Sequence, residues 1–179
     1  MVAEEEDLSW SNIDPGDPAL NTDPLDSPNP LQAQISLNSL SGHLAPKALR
    51  LLALISNHYV TVLVDGASIH NFVQPQVVTS LSLPCRRIST PLRVMVGNGQ
   101  YLECASVCED VLVYIQNHTF KIDLYILPIS GANVILEVQW LKTLGPVLTN
   151  YNTISMQFFH QDQFVELKGD HTSNTCPLT

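Results

Sequence analysis

The sequence predicts an all-β domain, a sandwich or a closed barrel. Two observations carry this: short β-branched or alternating apolar runs recur along the chain, and turn residues separate them at regular intervals. A third bounds it: apolar residues make up 45% of 179 residues, enough for one core.

The elements follow in order. Residues 1–34 hold five of the twelve prolines and few large apolar residues, and read as a disordered acidic tail or linker. From Ile35 the pattern turns strand-like. His58-Tyr-Val-Thr-Val-Leu-Val-Asp65 is a β-branched run that ends on an acid. Residues 74–81 are a candidate short helix. Pro91-Leu-Arg-Val-Met-Val96 alternates, Gly97-Asn98-Gly99 breaks the run, and Gln100-Tyr-Leu-Glu-Cys104 resumes it, a hairpin pattern with glycines free to take positive φ at the tip. Residues 111–115, a turn at Gln116-Asn117-His118, and residues 120–127 make a second hairpin. Asn133-Val-Ile-Leu136 reads as a buried strand, and residues 138–144 as a short helix closed by Gly145-Pro146. Residues 154–159 and 164–168 form a last hairpin, and residues 169–179 a frayed tail.

Charge and cysteine usage exclude several classes. The net charge of -9 belongs to the tail: residues 1–30 carry eight carboxylates and no Lys or Arg, and the remainder is nearly neutral. A basic nucleic-acid surface is therefore not expected. The four cysteines form no CxxC pair and the histidines are scattered, so neither a metal nor a cofactor is expected. The longest apolar run, near 49–55, is too short to cross a bilayer. No basic segment followed by an apolar run opens the chain, so the expectation is a cytoplasmic, unsecreted protein with reduced thiols. Without such a leader the acceptor pattern Asn117-His-Thr119 carries no glycan.

Asp65 is the first candidate for chemistry. A carboxylate at the end of an apolar strand is partly shielded, which suits acid/base work; the plain alternative is a solvated Asp-Gly turn. Ser68 and His70 invite a Ser/His/Asp triad, but the glycine of a nucleophile elbow is missing and no long helix follows. Ser68 reads instead as a turn hydroxyl bonded to Asp65, and His70 as a structural residue. Cys104 and Cys108 read as small buried apolar residues. Gly97, Asn98 and Gly99 read either as an ordinary tight turn or as a tip that closes over a ligand.

The order of these segments resembles a known family. Asp65-Gly-Ala-Ser-Ile-His-Asn-Phe72, the hairpin with Val-Gly97-Asn-Gly99, Ala132-Asn-Val-Ile-Leu136 and Gln139-Trp-Leu-Lys-Thr-Leu-Gly145-Pro together resemble the retropepsin-like aspartic peptidase domain of plant Gypsy-type LTR retrotransposon Gag-Pol polyproteins. Ile35-Ser-Leu-Asn-Ser-Leu-Ser-Gly42 is similar to the start of that domain, and the resemblance spans about residues 35–168. It implies a retropepsin-like closed barrel that pairs as a homodimer, with no cofactor and no membrane partner. By resemblance Asp65 is the catalytic acid, Gly66, Ala67 and Ser68 form its loop, Ser68 steadies the carboxylate, and Gly97, Asn98 and Gly99 are the flap tip over an extended peptide or polyprotein substrate. Aspartic proteolysis needs two carboxylates sharing a proton, and this chain has one such motif, so twofold symmetry would supply the second Asp65.

Two places depart from the family pattern. Gly66-Ala67 stand where a hydroxyl residue and a glycine are usual. Glu137 stands where the family has a glycine beneath the catalytic loop; it is either a buried third carboxylate or an exposed first-turn acid. The expectation is an aspartic endopeptidase of a retroelement polyprotein, in the cytoplasm or in retroelement particles. No reverse transcriptase, RNase H or integrase sequence follows, so a fragment of an element is expected. The competing expectation is an inactive dimerisation or peptide-binding module from a decayed copy.

Overall fold

The computed structural model of the chain describes residues 32–34, 49–96 and 99–170. The acidic segment before residue 32, residues 35–48 with the expected opening stretch 35–42, Gly97 and Asn98 of the expected flap tip, and residues 171–179 lie outside it. In chain order the strands are β1 (Gln32–Gln34), β2 (Leu49–Ile55), β3 (His58–Val64), β4 (Phe72–Val73), β5 (Arg86–Met95), β6 (Tyr101–Ile115), β7 (His118–Ile126), β8 (Val134–Leu136), β9 (Leu148–Asn150), β10 (Ser155–His160) and β11 (Gln163–Lys168). Helix α1 (Pro75–Ser80) precedes β5. Helix α2 (Val138–Leu141) follows β8 and tightens into a 3-10 turn over Lys142–Leu144.

Three hairpins share one device. Ser56-Asn57, Gln116-Asn117 and Gln161-Asp162 all take positive φ at both turn positions. That backbone twist matches the twist of the flanking strands, and Asn and Asp tolerate it best among residues with a side chain. The expected helix at 138–144 ends where expected, on Gly145 at φ 72°.

Strand β6 pairs with both β2 and β7, so β6, β2, β3, β8, β4 and β7 close into a six-stranded barrel. This is the closed barrel that the sequence predicts, with the short helices not part of the ring. Strands β5 and β6 run on beyond the ring as a long hairpin. Strands β9, β10 and β11 form a separate small sheet. Its inward residues Met156, Phe158, Val165 and Leu167 join the main core with Val62, Leu136 and Trp140.

A second apolar cluster holds Leu63, Phe72, Ile135 and the β5 residues Leu92 and Val94. Strands β3, β8 and β4 are therefore buried on both faces, which is why 60–64 and 134–136 read as continuous apolar runs. At either end, described residues beyond the expected limits of the domain pair with it. Gln32–Gln34, expected in the disordered tail, pairs parallel to β5 because that strand offers an open edge. Beyond 168, the Gly169 and Asp170 N–H groups donate to the Ile154 and Arg50 carbonyls, each at 2.7 Å.

Candidate active site

Register alone brings two carboxyl groups together. Strands β3 and β8 are parallel neighbours with Val64 opposite Leu136. The next residues, Asp65 and Glu137, therefore leave the sheet side by side. The Asp65 N–H closes the ladder by donating to the Leu136 carbonyl at 2.9 Å. Beyond it the chain turns sharply, and the Ala67 N–H donates to Asp65 Oδ1 at 3.2 Å. Gly66 and Ala67 face outward, Ser68 faces inward, and Asp65 is half-buried at the rim.

Glu137 lies beneath this loop with no exposed surface. Its Oε2 accepts the Ser68 N–H at 2.9 Å, and its own N–H donates to Asn71 Oδ1 at 2.8 Å. The Val138 and Gln139 N–H groups donate to the Ser68 and Ile69 carbonyls at 3.2 and 2.8 Å. The loop is thus sewn to the first turn of α2. Burial pushes the Glu137 carboxyl up to about 8; the Ser68 and Ala67 N–H groups pull it down, and the charge of Asp65 raises it further. At pH 7 and below it is predominantly a neutral acid, as expected of a carboxyl removed from solvent. Being buried and engaged with backbone, it is not presented outward as a working partner for Asp65.

The structure sorts the sequence expectations. Of the two readings of Glu137, the buried carboxyl is the one found. The Ser68 hydroxyl was expected to steady Asp65; instead it is buried without a hydrogen-bond partner, and the bond to Asp65 Oδ1 comes from the Ala67 backbone. The inward turn of Ser68, needed to bring its N–H to Glu137, takes the hydroxyl away from the rim. Gly99, expected at the flap tip, takes φ 81°, and its N–H donates to the Val96 carbonyl at 2.8 Å. The His70 ring packs tilted against Tyr125, with centroids 4.7 Å apart, and burial lowers its pKa. Cys104 and Cys108 are fully buried.

Asn71 escaped the sequence reading. It is buried, and it ties the Glu137 N–H to the Asp123 carbonyl, which its Nδ2 reaches at 3.2 Å. The available signal was an amide between the loop and the apolar pair Phe72-Val73, where a polar side chain must find backbone partners. Among the described residues no three His, Cys, Asp or Glu side chains converge as a metal site. No helix there is long and apolar enough to cross a membrane.

Comparison with known proteins bears on the family and the fold. A family model described as retroviral aspartyl protease matches residues 34–158. Among solved structures, the crystal structure of the retroviral protease-like domain of Ddi1 from Leishmania major superposes with a TM-score of 0.53. It is 10% identical, and the match covers 72% of this chain and 98% of that one. At that identity the likeness is one of fold. No curated protein matches the sequence.

Proposed function

The chain belongs to the retroviral aspartyl protease family, and from that premise we propose that it is an aspartic endopeptidase of a plant Gypsy-type retrotransposon Gag-Pol polyprotein, working as a homodimer. The observation that carries the reading is the placement of Asp65. It ends a strand buried on both faces, sits half-exposed at the rim, and is held by backbone on either side. Two copies related by a twofold axis bring two Asp65 carboxyls to one proton, because like charges at that range do not both ionise. One carboxylate takes a proton from water as it attacks the scissile carbonyl, and the other, protonated, polarises that carbonyl. The β5–β6 hairpin, with Gly97, Asn98 and Gly99 at its tip, covers an extended peptide. The site of action is the cytoplasm or the retroelement particle.

The test is cleavage of a mixed peptide library at about pH 4 to 6, where a shared-proton dyad works. Wild type cleaves and Asp65→Asn does not. A folded, dimeric wild type that cleaves nothing would overturn the assignment.

A second reading has its own support. Gly66 removes a hydroxyl from the loop, and Glu137 adds a buried carboxyl beneath it. On this reading the domain dimerises or binds extended peptides without cutting them. A β-carbon at residue 66 would meet only Leu141 Cδ1, at an ordinary 3.8 Å. The double variant Gly66→Ser, Ala67→Gly can therefore be built without crowding at residue 66, and gain of cleavage on that change would favour the second reading.

A further inference from the structure

Glu137 stands one residue past β8 and fills the space under the Asp65 loop. Three bonds at this point join the loop to the start of α2: Ser68 N–H to Glu137 Oε2, and the Val138 and Gln139 N–H groups to the Ser68 and Ile69 carbonyls. Asn71 holds the Glu137 backbone from the other side. The second carboxyl oxygen, Oε1, is buried with no hydrogen-bond partner. A charge on this group would leave half of the carboxylate desolvated and uncompensated, whereas a neutral acid leaves little to compensate.

We propose that Glu137 is a positioning residue that, as a neutral acid, holds the Asp65 loop in its working position, and that its ionisation loosens the loop. The proposal rests on the reading of Asp65 as the catalytic carboxyl, but the loop transition it describes does not require cleavage. Asp65, on the loop after β3, is the titratable group whose charge acts on Glu137. The other groups against it are uncharged: the Ala67 and Ser68 amides, the Asn71 side chain and the first turn of α2. Loss of a proton would place two negative charges at the adjacent ends of β3 and β8. The loop can relieve that repulsion, and hydrate Oε1, only by lifting from α2.

The sequence carries the same message. A glycine at this place would leave the loop to packing and to the two backbone bonds from Val138 and Gln139, whereas a glutamate adds a bond that depends on a proton. Asp65 opposes ionisation of Glu137, so removing its charge lowers the midpoint of the transition.

The experiment follows the Ser68 amide resonance of the full chain from pH 5 to 9. In wild type it moves with a midpoint well above the ordinary carboxyl range, near 8. In Glu137→Gln, which keeps the acceptor but cannot ionise, the resonance stays put. In Asp65→Asn the midpoint falls. Where wild type cleaves peptide, its kcat declines on the same alkaline limb, and Glu137→Gln retains cleavage while that limb moves up. A wild-type Ser68 amide that is flat over this range, or one that titrates near 4.5, overturns the proposal, as does a transition that persists in Glu137→Gln. A loop transition in a protein that cleaves nothing would sustain the positioning role while removing the peptidase reading.

Discussion

The Asp65 loop and the β5–β6 hairpin are built in opposite ways. The loop springs from strands buried on both faces; the Glu137 side chain holds the loop backbone from beneath, and the Asn71 side chain holds that of Glu137. The hairpin leaves the barrel with most of its surface exposed; on β5 only Leu92 and Val94 are buried, and Tyr101 and Glu103 on β6 face solvent. Its ladder also shifts register between Arg87 and Leu92. The contrast suits the proposed peptidase. A reacting carboxyl needs a fixed position, set to within fractions of an ångström. A segment that admits and covers a long substrate needs low local stability.

The largest effect is expected at the loop. Asp65→Asn lowers kcat/KM for peptide cleavage by about 10⁴-fold or more and leaves the melting temperature nearly unchanged. The matching change in the hairpin, Gly99→Ala, strains a turn residue at φ 81°. It lowers kcat/KM by about tenfold at most, mainly through KM. Equal losses from the two variants would erase the contrast.

Glu137 sharpens the comparison through pH. Its folded-state pKa of about 8 lies above the ordinary value of 4.5. Below pH 4.5 both folded and unfolded chains carry the proton, and the stabilisation is complete. Between 4.5 and 8 the unfolded chain ionises and the folded one does not, so stability falls as pH rises. The fall totals a few kcal/mol at about 1.4 kcal/mol per pKa unit. Urea unfolding of Glu137→Gln should show no such slope from this site.

Packing gives the next effect. Leu136→Ala, in the two-sided anchor, costs about 2–5 kcal/mol. Leu102→Ala, half-buried in the hairpin, costs about 1 kcal/mol or less. Comparable midpoints of chemical unfolding would contradict the division. Smallest of all is the exposed Arg86–Glu109 pair at the foot of the hairpin, although both guanidinium contacts are short, 2.7 and 2.5 Å. Arg86→Ala should give no measurable change in melting temperature, because water screens such a pair.

The hairpins were legible because turn chemistry is local. Gly97-Asn98-Gly99 and Gln116-Asn117 mark reversals whatever the rest of the chain does. Strands β4 and β9, two and three residues long, carry no periodicity to read. Strand β6 reads as two strands because Glu109-Asp110 interrupts its apolar pattern. In the barrel that interruption is a bulge between Cys108 and Val111, with Asp110 at φ 55° and its N–H bonded to Asp123 Oδ1.

At the site, Asp65 could be picked out because it ends an apolar run, and Glu137 because it stands where the family has a glycine. Their adjacency could not, since it depends on β3 and β8 being parallel neighbours 70 residues apart in the chain. The inward turn of Ser68 and the brace of Asn71 follow from that adjacency and were hidden with it.

The central claim is that two Asp65 side chains form one site, and mixing tests it. Wild type and Asp65→Asn are combined in equal amounts at fixed total concentration and left to exchange subunits. If each site needs two Asp65 carboxyls, activity falls to about a quarter of that of wild type alone, the share of dimers with both. A fall to about one half would mean that each chain cuts with its own carboxyl, and would contradict the account.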